Sequence, residues 1–263
     1  MKVFAIELTN WCNAKCGFCP YTSPDHNRPK GWMTEDTLRL LINKMEPPRE
    51  INLSGLGEPT LHRELVRFVS ILRANGVAVQ MNTNGQQLDQ DLYDQLWEAG
   101  LNKIILTSDY FPWDKGKLKV KEGLPVTFFT ISREPDHPEL GQTQKPLDDW
   151  AGQVGSAPRD KVRCSFLHDD FVQVCWDGTV QRCCCDFNAN HALGNMHDES
   201  FHDNYQAGVY VDREIPLCGG CAGYVFESGL VAGDYAGAGD TAPDAFTDLV
   251  QLEKPDAADH PET

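Results

Sequence analysis

Positive charge is scarce in this chain. Its 263 residues carry 23 Lys and Arg against 39 Asp and Glu, a formal net charge of −16. Neutralising phosphates takes basic patches, so a nucleic-acid partner is not expected. Long apolar runs are missing as well. None approaches the roughly 20 residues that span a bilayer, and no membrane partner is expected. The eight histidines show no metal spacing such as His-x-x-x-His. No secretory signal opens the chain. A reducing, cytoplasmic compartment follows, in which ten cysteines serve metal binding rather than disulfides. Residues 232–263 are rich in Ala, Gly, Asp and Pro, with Lys254 their sole basic residue. They read as an acidic tail, too poor in apolar residues for a core, in which Phe246, Leu249, Val250 and Leu252 suit one short docking helix.

The cysteines are what the chain has in excess. The run Trp11-Cys12-Asn13-Ala14-Lys15-Cys16-Gly17-Phe18-Cys19-Pro20 has the spacing C-x3-C-x2-C. A structural zinc site wants four protein ligands, and an ordinary iron–sulfur cluster wants four cysteines. Three close cysteines point to a cluster with one iron open to a small molecule; a zinc knuckle completed by a distant ligand is the alternative. They follow an apolar, strand-like run from Val3 to Leu8. A second motif, Ile51-Asn52-Leu53-Ser54-Gly55-Leu56-Gly57-Glu58-Pro59, reads as a strand entering a glycine-rich turn. Glycine lets a backbone approach a ligand closely, and Glu58 places a carboxylate there. A third, Met81-Asn82-Thr83-Asn84-Gly85, ends the strand-like run 77–83; Asn-Gly is also a plain turn signal.

The cysteine spacing with Phe18 before Cys19, the Gly57-Glu58-Pro59 core and Thr83-Asn84-Gly85 together resemble the radical S-adenosylmethionine (radical SAM) superfamily. The resemblance implies a [4Fe-4S] cluster on Cys12, Cys16 and Cys19. Its open iron would bind the amino and carboxylate groups of S-adenosylmethionine, which the cluster cleaves to a 5′-deoxyadenosyl radical that takes a hydrogen atom from the substrate. It also implies that Gly55, Gly57, Glu58 and Pro59 hold the methionyl ammonium, in a version of the family's "GGEP" stretch whose first glycine pair is split by Leu56. Asn84 would line the cofactor pocket. Ser108 and Asp109, closing another strand-like run, either meet ribose or substrate or simply cap a strand.

Strand-like runs at 3–8, 51–55, 77–83, 103–108 and 125–131 alternate early on with helical patterns at 34–46, 62–75 and 88–99. In the first helix Thr34 suits the N-cap and Glu35 and Asp36 the first turn. In the second, Leu65, Phe68, Val69 and Leu72 share a face and Gly76 is a stop. In the third, Leu88, Leu92 and Leu96 recur, and Gly100 ends the run. Such alternation predicts an α/β fold with a parallel sheet, with active groups at the C-terminal strand ends. The resemblance makes this a partial (β/α)6 barrel over residues 1–150.

Seven cysteines lie beyond it. Residues 171–183 look like a hairpin turning at Asp177-Gly178, with Cys164 before it and Cys183 closing it. Leu217-Cys218-Gly219-Gly220-Cys221 offers a C-x2-C pair. This arrangement, with the Gly194-Asn195 step before a short helix, resembles the twitch domain, a shortened SPASM domain, here placed at 151–231. The resemblance implies an auxiliary [4Fe-4S] cluster on Cys164, Cys183, Cys218 and Cys221, closed to substrate and suited to electron transfer. Cys184 and Cys185 follow Cys183 directly and either replace it as ligand or give a hydrogen atom to a substrate radical. Cys175 reads as a small buried hydrophobe.

Size, the single auxiliary cluster and motif order are most similar to the 2-deoxy-scyllo-inosamine dehydrogenases of aminoglycoside antibiotic biosynthesis. By that resemblance a small polar substrate, amino sugar, cyclitol or nucleoside-like, loses two electrons from a secondary alcohol. Arg133 matches the arginine that serves the substrate hydroxyl, and a flavodoxin or ferredoxin supplies electrons. A radical epimerase using Cys184 or Cys185 and a peptide-modifying maturase are the alternatives. The barrel's start at residue 3 leaves no N-terminal peptide-recognition domain in view.

Overall fold

Apolar and polar residues alternate along the early strands of this chain, and that alternation decides which face of the sheet carries helices. The computed structural model describes residues 1–16, 19–46, 49–107, 118–124, 126–129 and 170–206. In chain order the elements are β1 (Lys2–Ile6), α1 (Glu35–Lys44), β2 (Glu50–Leu53), α2 (Leu65–Ala74), β3 (Ala78–Thr83), α3 (Gln90–Glu98), β4 (Lys103–Thr107) and β5 (Val126–Phe129). The remaining elements are β6 (Phe171–Val174), β7 (Thr179–Gln181), β8 (Gly194–Asn195) and α4 (Phe201–Gln206).

The helices form where the sequence places them. The Thr34 side chain accepts from the Thr37 amide at 3.2 Å, satisfying one orphan donor at the start of α1. Glu35 and Asp36 in its first turn and Lys44 in its last suit the helix dipole. Leu65, Phe68, Val69 and Leu72 of α2 are all buried, each such side chain contributing about 1.5–3 kcal/mol. Gly76 and Gly100 follow α2 and α3 at φ +74° and +84°, where a side chain would be strained. The third helix differs from the expected stripe. Leu88 precedes the N-cap, Asp89, and so shares no helical phase with the residues of α3. Tyr93 and Leu96 form the buried face, while Leu92 is only partly covered.

One sheet, in the order β5-β4-β3-β2-β1-β6-β7-β8, unites the strands. From β5 to β6 all neighbours are parallel; β7 and β8 join antiparallel. The α/β fold with a partial barrel is therefore present. Among the described residues the sixth parallel strand is β6, which opens the hairpin at 171–181 and pairs with the outer edge of β1. Strands β6, β7 and β8 thus belong to the same sheet as β1–β5.

The two faces differ sharply. Val3, Ile6, Ile51, Leu53, Val79, Met81, Ile104, Leu106, Val172 and Val174 pack with the apolar stripes of α1, α2 and α3 in a single core. The alternate positions Ala5, Asn52, Gln80, Asn82, Gln173 and Gln181 belong to the inner face. Strands of a parallel sheet covered on both sides are usually apolar throughout; here the inner face is polar instead. Among the described residues no helix is long and apolar enough to cross a membrane.

Candidate functional site

The chain beyond β1 is tied down before the first cysteine. Glu7 N donates to Val174 O at 2.9 Å. Thr9 forms an antiparallel bridge with Trp32, its Oγ1 donating to Gly31 O at 2.7 Å. Asn10, fully buried, donates to Pro29 O at 2.7 Å and accepts from Gly31 N at 2.9 Å. The cysteine loop starts from this clamp. Cys12 Sγ accepts from Ala14 N at 3.4 Å. Cys19 N donates to Cys16 O at 3.0 Å, and Thr22 Oγ1 donates to the carbonyls of Cys19 at 2.9 Å and Cys16 at 3.2 Å.

The three thiols feel one another. Burial pushes the Cys19 thiol up to about 12, and the charges of Cys12 and Cys16 add to it. Burial likewise raises Cys12, with Glu58 and Cys16 reinforcing the shift. Lys30 opposes both. Its ammonium donates to Asn10 O at 3.0 Å and lies 3.9 Å from the Tyr21 ring centroid. Three half-buried thiols that repel one another as thiolates ionise together only when cationic metal balances them, since a coordinating thiol is deprotonated outright. This donor set fits an iron–sulfur cluster.

The turn after β2 docks on the same loop. Glu58 N donates to Trp11 O at 2.8 Å. A Cβ on Gly57 would stand 2.0 Å from Thr9 O and 2.8 Å from Trp11 O, and one on Gly55 would stand 2.6 Å from Glu7 Cγ. These two glycines are therefore needed for close approach to β1 and its loop, a different use from the ligand contact their spacing predicts. Pro59 opens the 3₁₀ turn Pro59–Leu61 and is buried. The turn holds Glu58 only 3 % exposed. Its Oε1 accepts from Thr60 N at 3.0 Å, Thr60 Oγ1 at 2.6 Å and Thr83 Oγ1 at 2.7 Å; its Oε2 accepts from Asn84 N at 2.8 Å. Burial raises its pKa while these four bonds lower it, with a net upward shift. All four donors are neutral, so a cation meeting Oε2 would find its charge uncompensated. Asn84 completes the junction: its Nδ2 donates to Asn13 Oδ1, inside the cysteine loop, at 2.8 Å. The three sequence motifs thus meet through backbone and side-chain bonds.

Beneath them lies an ion pair that sequence reasoning missed. Arg28 grips Glu7 with both terminal nitrogens, at 2.6 and 3.2 Å, and both side chains are buried. Glu7 Oε2 also accepts from Leu56 N at 3.1 Å, tying the glycine turn to β1. Burial, the largest influence on the guanidinium, pushes its pKa down, but Glu7 and Cys175 more than offset that. The available signal was Glu7 itself, a carboxylate set between Ile6 and Leu8. Cys175 is fully buried and its thiol is raised by burial, as its reading as a small hydrophobe predicts. Thr60 went unremarked, and Thr83 and Asn13 were noted only as members of their motifs; the bonds their hydroxyls and amide make are ones no spacing reveals.

The second thiol group lies beyond β7. Cys183, Cys184 and Cys185 place their sulfurs within 4.8 Å of one another. The thiols of Cys184 and then Cys185 donate to Cys183, joined by the amides of Cys185 and Asp186, and this pulls Cys183 well below its ordinary pKa. The bend that follows β7 therefore aims these four donors at the Cys183 sulfur. None of the seven described cysteines is in a disulfide. Two contacts join this region to the cysteine loop's C-terminal side: Asn27 N donates to Asn188 Oδ1 at 3.0 Å, and Asn188 Nδ2 donates to Asp25 O at 2.8 Å. Gly31 leaves room for the Trp176 ring, which a Cβ would meet at 2.3 Å. Phe18, Ser108, Asp109, Arg133, Cys164, Cys218 and Cys221 lie outside the described residues.

Residues 6–127 match the radical SAM superfamily. The tungsten-containing aldehyde ferredoxin oxidoreductase cofactor-modifying protein of Pyrococcus furiosus is 27 % identical over 115 residues, which are 43 % of this chain and 32 % of that protein. The GTP 3′,8-cyclase of Microcystis aeruginosa is 32 % identical over 111 residues, 40 % of this chain and 33 % of the cyclase. The chain thus spans about a third of the length of these curated relatives. Among solved structures, BtrN in complex with AdoMet and 2-DOIA is similar with a TM-score of 0.55 at 20 % identity, over 80 % of this chain and 87 % of BtrN. BtrN in an open conformation gives 0.54 over 84 % and 92 %. At that identity the likeness is one of fold.

Proposed function

We propose, from the premise that residues 6–127 form a radical SAM superfamily domain, that this chain is a radical SAM enzyme acting on a small polar substrate. The observation that carries the reading is the junction of three motifs. The cysteine loop is bonded to the Glu58 turn through Trp11 O and to Asn84 through Asn13. Cys12, Cys16 and Cys19 would hold the cluster and Glu58 the amino group of S-adenosylmethionine. When bound, the reduced cluster and S-adenosylmethionine supply the means to take a hydrogen atom from a substrate. The chain's own part is to hold and orient. Thr60, Thr83 and Asn84 fix the Glu58 carboxylate, and Lys30 offsets the negative charge of the thiolates. Arg28 neutralises Glu7, so that carboxylate does not compete for a cationic ligand.

The favoured outcome is oxidation of a secondary alcohol to a ketone, as in the aminoglycoside dehydrogenases. An auxiliary [4Fe-4S] cluster on Cys183 with Cys164, Cys218 and Cys221 would take the second electron. The lowered pKa of Cys183 supports its choice as ligand over its two neighbours. Arg133 would serve the substrate hydroxyl, and a flavodoxin or ferredoxin would donate electrons in the cytoplasm. A second reading, radical epimerisation, has one observation in its favour: Cys184 and Cys185 are thiols grouped with Cys183, so either is at hand as a hydrogen donor.

The test is anaerobic incubation of the reconstituted protein with S-adenosylmethionine and candidate amino sugars, cyclitols and nucleosides, recording 5′-deoxyadenosine and product mass. Loss of two mass units reports dehydrogenation; unchanged mass with solvent deuterium uptake reports epimerisation. Cys175→Ala, Cys184→Ala and Cys185→Ala should each leave turnover largely intact. If one stops product formation while 5′-deoxyadenosine still forms and iron is retained, epimerisation replaces dehydrogenation. If no 5′-deoxyadenosine forms from the wild type, the radical SAM reading itself falls.

A further inference from the structure

The inner face of the sheet carries carboxamides in register. Ala5 of β1 is flanked by Asn52 of β2 and Gln173 of β6; Asn52 faces Gln80 of β3, and Gln173 faces Gln181 of β7. Reading across the strands gives one row, Gln181-Gln173-Ala5-Asn52-Gln80. One step nearer the cysteine loop stands Asn82, beside Ile105 of β4. Side chains alternate between faces along a strand, and the neighbours of these residues, Leu53, Val79, Met81 and Val174, all belong to the helix-side core. The carboxamides therefore share the opposite face.

Asn52 is 2 %, Gln80 4 % and Gln181 1 % exposed, while Asn82 is half-buried. Yet Asn52 Oδ1, Gln80 Nε2, Asn82 Oδ1 and Gln181 Oε1 are buried polar atoms without a hydrogen-bond partner. Leaving such atoms unpaired is costly, and apolar residues would serve a mere core better. Their position says what they await. Asn82 directly precedes Thr83 and Asn84, which hold Glu58. At the other end, β7 leaves Gln181 toward the N-terminal ends of the parallel strands and reaches Cys183 two residues later. The row thus lies between the exits of the two thiol-bearing loops.

We infer that Asn52, Gln80 and Asn82 form the substrate-orienting subsite, and that its ligand is a neutral or amino-bearing polyhydroxylated ring. This rests on the proposed enzyme reading for the ligand's role, not for its binding. The three unpaired atoms are two acceptors and one donor, spaced along adjacent strands. Hydroxyl groups answer both needs, because each donates and accepts. Within these rows the Glu7 carboxylate is neutralised by Arg28, which leaves no free anion to demand a strongly cationic ligand.

The experiment separates binding from catalysis. Wild type, Asn52→Leu, Gln80→Met and Asn82→Leu proteins, iron-loaded, are titrated calorimetrically with myo-inositol, glucosamine and uridine, with and without saturating S-adenosylmethionine. Wild type is expected to bind inositol or glucosamine in preference to uridine. Each variant should weaken that binding about tenfold, the value of one lost hydrogen bond in a buried site. Because each substitution removes an unpaired buried polar atom, melting temperatures should hold or rise, and affinity for S-adenosylmethionine should not change. Three results overturn the inference: no ring probe binds wild type, the variants bind it as tightly as wild type does, or all three variants melt well below it. The last would make the carboxamides part of the packed core. Preference for uridine would overturn the polyol class. Failure of S-adenosylmethionine to bind would instead sink the enzyme reading, and the ring titrations without it would still decide the row.

Discussion

Replacing Glu58 with Gln tests the centre of the proposed site with almost no change in shape. The carboxamide oxygen can occupy the Oε1 position and keep its three donors, Thr60 N, Thr60 Oγ1 and Thr83 Oγ1. The new amide nitrogen then falls where Oε2 accepts from Asn84 N at 2.8 Å, setting donor against donor. Losing a hydrogen bond to a charged group costs about 1.5–3 kcal/mol, but the substitution also removes a buried charge that its neutral donors only partly stabilise. The two effects oppose, so melting should shift little. Cofactor binding should not escape. Truncating one partner of a buried, hydrogen-bonded charge pair costs about 2–5 kcal/mol, or roughly 30-fold to several thousandfold in affinity. Equilibrium dialysis of S-adenosylmethionine with the iron-loaded protein reads this directly, with iron content and melting temperature as controls. Affinity within about threefold of wild type, in a variant that keeps its iron, would refute the assignment of Glu58 to the ammonium.

Replacing Cys12, Cys16 and Cys19 together with Ala should abolish 5′-deoxyadenosine formation and lower iron from about eight to about four atoms per chain, whereas Cys183→Ala should remove the other four; unchanged iron in either case rejects that ligand set. Gly57→Ala places a Cβ 2.0 Å from Thr9 O, so the Glu58 turn must part from the cysteine loop. We expect about 1–3 kcal/mol of destabilisation by chemical denaturation, with weaker iron loading. His26 is held down to about 4 by burial and by the Lys30 and Arg28 charges, while the unfolded chain takes up its proton near 6.5. Between pH 6.5 and 4 the unfolded state therefore binds more protons, and stability should fall as pH drops through that window and level off above it. Subtracting a His26→Gln melting series from the wild-type series isolates this contribution, and parallel pH profiles would count against it.

Much of the site was legible because each motif follows a strand, and a parallel α/β pattern gathers the C-terminal strand ends on one side. That logic brings Cys12, Glu58 and Asn84 together without knowledge of any contact. What escaped depends on long-range pairing. Arg28 reaches Glu7 from a loop 21 residues on, and nothing in either local sequence names the other. The glycines at 55 and 57 were recognisable as tight positions, but what crowds them is β1 and its loop, which only the folded chain supplies. Leu92 was misplaced because a spacing of four drifts from the 3.6-residue turn and because the helix starts after Leu88. That two thiols and two amides are aimed at Cys183 and not at its neighbours depends on the backbone bend after β7, which no spacing encodes. The union of β6 with β1 is a pairing across some 170 positions that no local pattern encodes.

That union bears on how the proposed chemistry is held together. The cysteine loop leaves β1 at its C-terminal end, and the hairpin leading to Cys183 enters beside the same strand. Backbone bonds of the β1–β6 ladder, with Glu7 N to Val174 O continuing it, therefore fix the spacing between the two thiol groups. A domain hung on a linker would let that spacing vary, and electron transfer from a substrate to an auxiliary cluster would suffer with it. The ladder is also where the chain is irregular: the register shifts between Val3 and Ala5, so Phe4 is an extra residue in β1. A bulge of this kind increases local twist and re-aims the side chains beyond it. Here those are Ala5 and Glu7, which turn to the polar face. Removing the bulge would carry Glu7 to the helix side and break its pairing with Arg28. For the alcohol-oxidising reading, the placement of β1 is thus as consequential as the cysteines that follow it.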